Sequence, residues 1–248
     1  MLEFPRMDAP PASGSQIPFR DADGQGAIVF DPDRVRQAEP GLFAIPSTDK
    51  PGSGRGAAWF VDGPNGAALL KHYRRGGWIS RWVRRSYLWL GESRVRSVAE
   101  FALLQRLRRV GLPVPAPLAA AYWRRGLGYR AALLLERIPA ATDFAERVAT
   151  QREHAPWERV GAAIGRCHAL GAHHADLNAH NILLDGGDAP WLIDWDKGRL
   201  ERGPGDWCRA VLDRLERSRR KACTTVPAEA LAGGMRRLRA AHDEAVAA

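Results

Sequence analysis

The chain has 248 residues, of which 45% are hydrophobic, so it is long enough to bury a core as one domain or as two small lobes. Its three cysteines, Cys167, Cys208 and Cys223, are few and widely separated, which argues against a disulfide framework or a zinc site and favours a reducing compartment. The formal net charge of +9 at pH 7 comes mainly from arginine, whose planar fork binds phosphate, and it favours an anionic partner such as phospholipid, nucleic acid or a phosphorylated substrate.

Residues 1–25 predict a mobile leader without regular structure, because they are rich in Pro, Gly, Ser and Asp and have little apolar periodicity. They lack the basic start and apolar core of a secretory signal. No window of the chain approaches about 18 uncharged apolar residues, so we expect no membrane-spanning helix. The protein is therefore expected to be soluble or peripheral to a membrane.

A β-hairpin is predicted at residues 57–61 and 67–73, because two apolar runs flank the turn-forming cluster 62–66. It carries Lys71 on its second strand. Just before it, Gly52, Gly54 and Gly56 could cover phosphates with their backbone amides, although the G-x-G-x-G spacing is a weak match to a phosphate-binding loop. A plain flexible linker is the alternative.

Residues 97–110 predict an amphipathic helix, because apolar residues recur at helical spacing before Gly111 and Pro113. Glu100 on this helix has two interpretations. It could face the sheet and pair with Lys71, or it could close a capping box with Ser97 at the helix start. Residues 119–123 and 129–135 predict two more strands, which would complete a small antiparallel sheet.

The pattern changes after residues 138–139. Residues 144–149, 157–170 and 207–247 predict helices, the last with a break near Pro227 and Gly233-Gly234. Strands followed by helices predict an α+β protein in two lobes. We expect an N-terminal β-rich lobe with one long helix at 26–136 and a C-terminal helical lobe at 137–248, with a hinge near 136–139.

The most informative stretch is 171–197, which reads GAHHADLNAHNILLDGGDAPWLIDWDK. Asp176 precedes Asn181 by five positions in a polar loop, and an apolar strand at 182–184 follows. After the turn at 186–187, a second apolar run at 191–193 delivers Asp194. This order would set a carboxylate, a carboxamide and a second carboxylate around one point, as phosphoryl transfer requires.

Phosphoryl transfer needs an oriented hydroxyl and neutralisation of the triphosphate charge. We expect Asp176 to be the catalytic base, Asn181 and Asp194 to hold Mg²⁺ through oxygen ligands, and Lys71 to contact the phosphates of ATP with Glu100 fixing its position. Taken singly, these residues have simpler explanations. Asp176 and Asn181 could cap turns, Asp194 could pair with Lys197 or an arginine, and Lys71 could be a strand lysine with a solvated tip.

The histidines of this stretch lack a second cluster of ligands at zinc spacing. We therefore expect His174 to brace the loop by packing and hydrogen bonding, and His180 to be a loop residue.

These residues resemble the protein-kinase-like superfamily. H-A-D-L-N-x-x-N is similar to the kinase catalytic loop, and Ile-Asp-Trp-Asp stands where kinases place a metal-binding Asp, although D-F-G and A-P-E are absent. A closer resemblance is to the 3-deoxy-D-manno-octulosonic acid (Kdo) kinases of Gram-negative lipopolysaccharide assembly. It is carried by the blocks GRGAAWF (54–60), KHYRRGG (71–77), RSVAEFALLQRLRRVGLPVPAPLAA (96–120), HADLNAHNILLD (174–185) and LIDWDKGRL (192–200).

The resemblance implies a two-lobed protein-kinase-like fold with a small antiparallel-sheet N-lobe and a helical C-lobe. It implies phosphorylation of the 4-hydroxyl of Kdo on Kdo-lipid A, with ATP and Mg²⁺ as cofactors, at the cytoplasmic face of the inner membrane. It also assigns kinase roles to the expected site residues, which are Lys71, Glu100, Asp176, Asn181 and Asp194.

An arginine- and tryptophan-rich segment at 74–96 supplies a separate reason for a lipid-linked acceptor. Its arginines alternate with Trp78, Trp82, Tyr87 and Trp89, and Glu92 is its only acid. Guanidinium groups beside indoles suit a membrane surface. The same segment could bind acceptor phosphates, or it could be a solvated basic face whose aromatic rings pack into the core.

Two further functions remain open from the sequence. The fold could act on another acceptor, such as a core heptose or a soluble aminoglycoside-like molecule, or the chain could be a non-catalytic basic adaptor on a membrane. We expect no nucleic-acid role, because only the charge favours it and no recognition helix or base-stacking motif accompanies it.

Overall fold

The computed structural model describes residues 14–45, 57–73 and 87–248. The chain divides into two compact units, Met1–Arg106 with Ala116–Arg137 and Leu107–Pro115 with Ile138–Ala248. The predicted glycine loop with Gly52, Gly54 and Gly56 lies outside the described residues, as do residues 74–86 of the arginine- and tryptophan-rich segment.

The first unit is built on one antiparallel sheet in the order β1-β2-β6-β7-β4-β3, with β5 paired to β7. Its strands are β1 (Ser15–Asp21), β2 (Gly24–Phe30), β3 (Ala57–Gly63), β4 (Gly66–His72), β5 (Tyr87–Leu88), β6 (Pro117–Arg125) and β7 (Gly128–Glu136). The predicted hairpin at 57–73 and the strand pair after the helix are confirmed. Large apolar side chains, including Ile28, Trp59, Leu70 and Trp123, form a buried core cluster in this unit.

The first strand corrects the predicted leader. Ser15–Asp21 pairs in continuous register with Gly24–Phe30, from Ser15 opposite Phe30 to Asp21 opposite Gly24. Most of its side chains are exposed, so the strand carries little apolar periodicity for a sequence pattern to detect. Backbone pairing holds it instead, together with the ring of Phe19, which packs edge-on against Trp123 at 5.5 Å. Gly24, the first residue of β2 after the turn, has φ +142, a conformation that favours glycine.

Helix α1 (Arg96–Arg109) fits the predicted amphipathic helix. Phe101 and Leu104 are buried on it in the first unit. The Ser97 hydroxyl donates to the backbone carbonyl of Ala121 on β6 at 2.9 Å, so it fixes the helix to the sheet. This anchor places Glu100, one position before Phe101, on a buried part of the helix.

The second unit is mainly helical. Its helices are α2 (Phe144–Gln151), α3 (Trp157–Ala169), α4 (Asp206–Ala222) and α5 (Ala228–Ala247), and its short strands are β8 (Thr142–Asp143), β9 (Ala172–His173), β10 (Ile182–Leu184), β11 (Pro190–Leu192) and β12 (Arg199–Leu200). The strands pair in the order β11-β10-β8 in one sheet and β12-β9 in another. The predicted strand at 182–184 is confirmed.

The predicted break at Gly233-Gly234 is wrong, because α5 runs through both glycines, whereas the break at Pro227 is confirmed. A Cβ on Gly234 would come within 2.2 Å of the Trp157 ring, so this glycine permits close helix packing. On α3, a Cβ on Gly161 would lie 2.1 Å from the Leu238 carbonyl oxygen. These glycines let α3 and α5 approach closely. From the sequence alone, a glycine pair such as Gly233-Gly234 looks like a helix break instead.

The predicted α+β class, with a small antiparallel sheet followed by a helical part, is confirmed. Among the described residues, no helix combines the length and the apolar character that crossing a bilayer demands.

Candidate active site

Lys71 lies on β4, an inner strand of the first unit's sheet next to the edge strand β3. Strand β4 pairs with β3 on one side and β7 on the other, so Lys71 stands opposite Ala58 and Leu133. Alternation along the strand buries its neighbour Leu70 completely in the core cluster and turns Lys71 to the opposite face. A lysine in this position is held by a paired backbone on both sides.

Glu100 reaches Lys71 from helix α1. The Lys71 Nζ lies 3.1 Å from Glu100 Oε1 and 2.9 Å from Oε2. The Glu100 side chain is 0% exposed and that of Lys71 is 21% exposed. Of the two open interpretations of Glu100, the structure forms the pair with Lys71. The Ser97 side chain does not take its part in a capping box, because its hydroxyl donates to the backbone carbonyl of Ala121 instead.

Tyr73 completes what we call the Lys71 cluster, namely Lys71, Tyr73 and Glu100. The Tyr73 hydroxyl donates to Glu100 Oε2, and the Lys71 Nζ lies 5.0 Å from the centre of the Tyr73 ring. A buried carboxylate is costly unless its charge is paired and hydrogen-bonded. Glu100 receives both kinds of partner here, so the cluster fixes the direction of the Lys71 side chain.

In the second unit, His174 braces the predicted catalytic loop as expected. Its Nε2 lies 2.8 Å from the backbone carbonyl oxygen of Ile193, while the backbone N–H of Asp176 donates to its Nδ1 at 3.3 Å. The ring packs 4.7 Å from that of the buried Trp195. Burial lowers the pKa of His174. The neutral imidazole therefore ties Asp176 to the strand end that precedes Asp194.

Asp176 and Asn181 are joined by a hydrogen bond across the loop. The side-chain Nδ2 of Asn181 donates to the backbone carbonyl of Asp176 at 3.1 Å, and so does that of Asn178. The backbone N–H of Ile193 donates to the Asn181 carbonyl at 3.0 Å. Asp176, Asn181 and Asp194 are thus brought to one end of the β10-β11 hairpin.

Asp194 has a backbone conformation that is uncommon for its residue type. Its φ is +64°, in the left-handed region that favours glycine. Such conformations cost free energy and occur where the surrounding structure imposes them, often at functional sites. Here Trp195, anchored by its Nε1 donating to the Leu192 carbonyl at 2.9 Å, sets the direction in which the chain leaves Asp194. We call Asp176, Asn181 and Asp194 the Asp176 cluster.

Two basic side chains flank Asp176. Arg214 on α4 forms an ion pair with Asp176 Oδ1, and the Lys197 Nζ lies 3.8 Å from Oδ2. The Asp176 side chain is 35% exposed, Arg214 48% and Lys197 67%. The carboxylate that sequence predicts to be the base therefore opens to solvent with a cation on each side.

Residues 49–232 match the sequence profile described as "Lipopolysaccharide kinase (Kdo/WaaP) family". The match covers most of the chain, including every residue of both clusters. The chain belongs to the lipopolysaccharide kinase family. The resemblance inferred from the sequence is confirmed.

Several curated relatives support this membership. The chain is 48% identical over 215 residues to a 3-deoxy-D-manno-octulosonic acid kinase of Xanthomonas campestris pv. campestris (strain B100), covering 84% of this chain and 85% of that protein. It is 46% identical over 239 residues to the protein of the same name from Stenotrophomonas maltophilia (strain K279a), covering 94% and 96%. A third, from Xanthomonas axonopodis pv. citri (strain 306), is 49% identical over 212 residues, covering 84% of this chain and 85% of that protein.

Membership of this kinase family implies ATP as the phosphoryl donor, and the Asp176 cluster has the donors that Mg²⁺ prefers. One carboxylate at Asp194 and one carboxamide oxygen at Asn181 are hard ligands, and Mg²⁺ in kinases takes one or two carboxylates together with substrate phosphates. The Asn181 Nδ2 points to the Asp176 carbonyl, so its Oδ1 is the atom that can face a cation. The donor set fits the metal that the kinase family implies.

Tyr73 and Arg214 were missed by the sequence analysis. Tyr73 carried a detectable signal, because a residue two positions from Lys71 on a strand shares its face. Arg214 carried none, since it lies 38 positions from Asp176 in the sequence, on a helix with many exposed arginines.

Proposed function

We propose that this protein transfers the γ-phosphoryl group of ATP to the 4-hydroxyl of Kdo on Kdo-lipid A, in lipopolysaccharide core biosynthesis. The observation that carries the proposal is identity of 46–49% over most of the chain to proteins named 3-deoxy-D-manno-octulosonic acid kinase. The hydrogen bond from Asn181 to the Asp176 backbone and the pairing of Lys71 with buried Glu100 support it at residue level.

Asp176 is the general base of the proposed reaction. Its carboxylate takes the proton of the acceptor hydroxyl as that oxygen forms a bond to the γ-phosphorus. The bond between the γ-phosphorus and the oxygen that bridges it to the β-phosphorus breaks, and its electron pair leaves with ADP. Asp176 then returns its proton to water, since its carboxyl is partly exposed.

Lys71 contacts the α- and β-phosphates of ATP in this proposal. Glu100 and Tyr73 act as positioning residues, because they hold Lys71 without being accessible to a nucleotide themselves. A fixed ammonium group neutralises phosphate charge without paying the entropy of ordering a long side chain during the reaction. The glycines Gly52, Gly54 and Gly56 are proposed to cover the phosphates with backbone amides.

Asn181 and Asp194 hold Mg²⁺ in the proposal. When bound, the cation would neutralise the charge that develops on the transferred group and on the ADP leaving group. The hydrogen bond to the Asp176 backbone keeps the Asn181 carboxamide in one orientation, and the left-handed backbone at Asp194 does the same for the second ligand.

We further propose that the protein works peripherally at the cytoplasmic side of the bacterial inner membrane, through the arginine- and tryptophan-rich segment at 74–96. In its described part, the Arg96 guanidinium packs 4.9 Å from the centre of the Tyr87 ring, whereas Leu88 and Leu90 are exposed. Exposed leucines among arginines suit an anionic bilayer surface. Flotation with vesicles of anionic and of neutral phospholipid would test this, and equal binding to both would contradict it.

The reaction is tested by incubating the protein with Kdo-lipid A and ATP labelled in its γ-phosphate. We expect label in the acceptor, on the 4-hydroxyl of Kdo as located by mass spectrometry. The Asp176→Asn variant is the matched control for contaminating kinases. Label on another sugar would refute the assignment. So would equal labelling by the wild-type chain and the Asp176→Asn variant, or no labelling by either.

A further inference from the structure

The two cations beside Asp176 point to a second role for this part of the molecule. Arg214 and Lys197 come from different elements, a helix and a turn, and both reach the same carboxylate. The turn is closed by the backbone N–H of Gly198, which donates to the Trp195 carbonyl at 2.8 Å. The turn comes directly after Trp195, whose ring is anchored to the Leu192 carbonyl. The backbone position of Lys197 is therefore fixed.

Helix α4 is held against the catalytic loop independently of Arg214. One turn beyond Arg214, the Ser218 hydroxyl accepts a hydrogen bond from the backbone N–H of Ala179 at 3.3 Å. The loop is therefore docked on this helix by a neutral contact. Arg214 is therefore not the only contact between the loop and the helix among the described residues, and its guanidinium, although paired with Asp176, is exposed enough to meet a second anion.

The acids of α4 near Arg214 are engaged elsewhere. Asp213 and Glu216 both accept hydrogen bonds from Arg239 on α5, at 2.7 and 3.0 Å. Among the described residues, Arg214 and Lys197 both contact the Asp176 carboxylate. Two cations from separate elements therefore lie against the carboxylate of the proposed base, at the position where the acceptor must bind.

The geometry of proton transfer links these cations to the acceptor. A general base must come within about 3 Å of the hydroxyl that it deprotonates. The acceptor oxygen then lies next to a carboxylate whose own oxygens are in contact with Arg214 and 3.8 Å from Lys197. Because Arg214 and Lys197 are long side chains that touch this carboxylate, they can extend to other groups of the same sugar ring.

Resting on the proposed function, we propose that Arg214 and Lys197 bind the carboxylate of the acidic sugar and so select an ulosonic acid over a neutral one. The acceptor named for the relatives is an acid, and a guanidinium with an ammonium group matches a carboxylate in charge and in hydrogen-bond donors. Arg214 and Lys197 would exchange part of their contact with Asp176 for the incoming carboxylate. This frees the base to accept the hydroxyl proton.

The test compares two acceptors at saturating ATP, Kdo-lipid A and the same molecule with the Kdo carboxylate converted to a primary amide. For the wild-type chain, we expect kcat/KM to be about 10- to 100-fold higher on the acid, the range for charge-assisted hydrogen bonds. Arg214→Gln and Lys197→Gln should each lower kcat/KM on the acid and change it little on the amide. Both acceptors keep the lipid A phosphates, so these phosphates cannot produce the preference.

Arg209→Gln is the matched control. Arg209 is an exposed arginine on the same helix, five positions before Arg214 and therefore about 140° around the helix axis. This variant should keep the full preference for the acid. A preference that falls equally in Arg209→Gln would overturn the inference, because it would reflect net charge alone.

The outcomes separate this inference from the proposed function. If Arg214 only positions Asp176, its replacement will lower kcat/KM equally on acid and amide, which overturns the inference. Equal use of both acceptors by the wild-type chain also overturns it and leaves the proposed function intact. Failure of the wild-type chain to phosphorylate Kdo-lipid A overturns the proposed function itself.

Discussion

The Lys71 cluster contains an ion pair, the Asp176 cluster is paired with two cations outside it, and these ion pairs have opposite surroundings. Glu100 is 0% exposed and receives both Lys71 and Tyr73. Asp176 is 35% exposed and lies between Arg214 and Lys197, both more exposed than itself. Burial fixes a side chain, whereas exposure allows partners to exchange. The first arrangement suits a group that must hold still against a nucleotide, and the second suits one that must release and receive an acceptor.

The largest effect should come from Asp176. We expect Asp176→Asn to lower kcat by about 10³-fold, within the range of general-base catalysis, because the amide cannot take the hydroxyl proton. ATP affinity and the thermal unfolding midpoint should change little, since the side chain is partly in water. Steady-state kinetics and calorimetric ATP titration measure these quantities. Turnover close to that of the wild type would remove Asp176 from the mechanism.

Lys71→Met should reduce both activity and stability. The substitution leaves the Glu100 carboxylate buried beside Tyr73 without its cation, and breaking a buried pair in this way costs about 3 kcal/mol. Urea unfolding followed by tryptophan fluorescence measures the change. Lys197→Met is the matched control, because that lysine is 67% exposed and its loss should leave the unfolding curve in place. Equal stability of the two variants would mean that the buried Lys71–Glu100 pair contributes no more to stability than the exposed Lys197–Asp176 pair.

The sequence predicted the elements that carry both clusters because their signals are local. The hairpin with Lys71 has a turn cluster between two apolar runs, and the strand at 182–184 follows a polar loop directly. Pairing of Glu100 with Lys71 was one of two open interpretations. The alternative depended on the Ser97 hydroxyl, and only the tertiary contact with Ala121 decides where that hydroxyl donates.

The features that the sequence pattern missed depend on contacts that an apolar pattern does not show. The Ser15–Asp21 strand is held by backbone pairing with β2 and not by an apolar stripe. Gly234 looked like a helix breaker, and its role appears only when Trp157 is seen against it. Arg214 was one exposed arginine among many until α4 brought it to Asp176. For Gly234 and Arg214 the decisive partner lies far along the chain, where periodicity and spacing contain no information.

Buried histidines in the second unit should make the free energy of unfolding depend on pH. Burial lowers the pKa of His168 from its ordinary value of 6.5 to about 3, with His242 and His173 nearby opposing its charge further. His242 in turn contacts Asp243, and His173 contacts Glu201. As the pH falls, His168 takes up a proton in the unfolded chain at a higher pH than in the folded chain. The contribution of neutral, buried His168 to stability is therefore complete above about pH 6.5 and is lost as the pH falls below it.

We expect the free energy of unfolding to fall by on the order of 1 kcal/mol for such a group between pH 6.5 and 5.5. Burial also lowers the pKa of His174, which therefore adds to the same trend. Urea titrations at several pH values measure the slope, and His168→Asn should make it shallower. The carboxyls with lowered pKa, Asp185, Glu201 and Glu216, lose their contributions only at more acidic pH. A slope unchanged by His168→Asn would contradict the assignment.

The smallest expected change is the effect of Arg214→Gln on stability, and it is the sharpest test of the comparison. Exposed ion pairs contribute under about 1 kcal/mol and are weakened by salt, because water and ions screen both charges. The Arg214–Asp176 contact is of this kind, with 48% and 35% of the side chains exposed, and the Ser218–Ala179 hydrogen bond keeps α4 on the loop without it. The unfolding midpoint should therefore stay near that of the wild type at low and at high salt. A loss as large as that of Lys71→Met would mean that Arg214 holds the fold, and it could not then exchange Asp176 for an acceptor carboxylate.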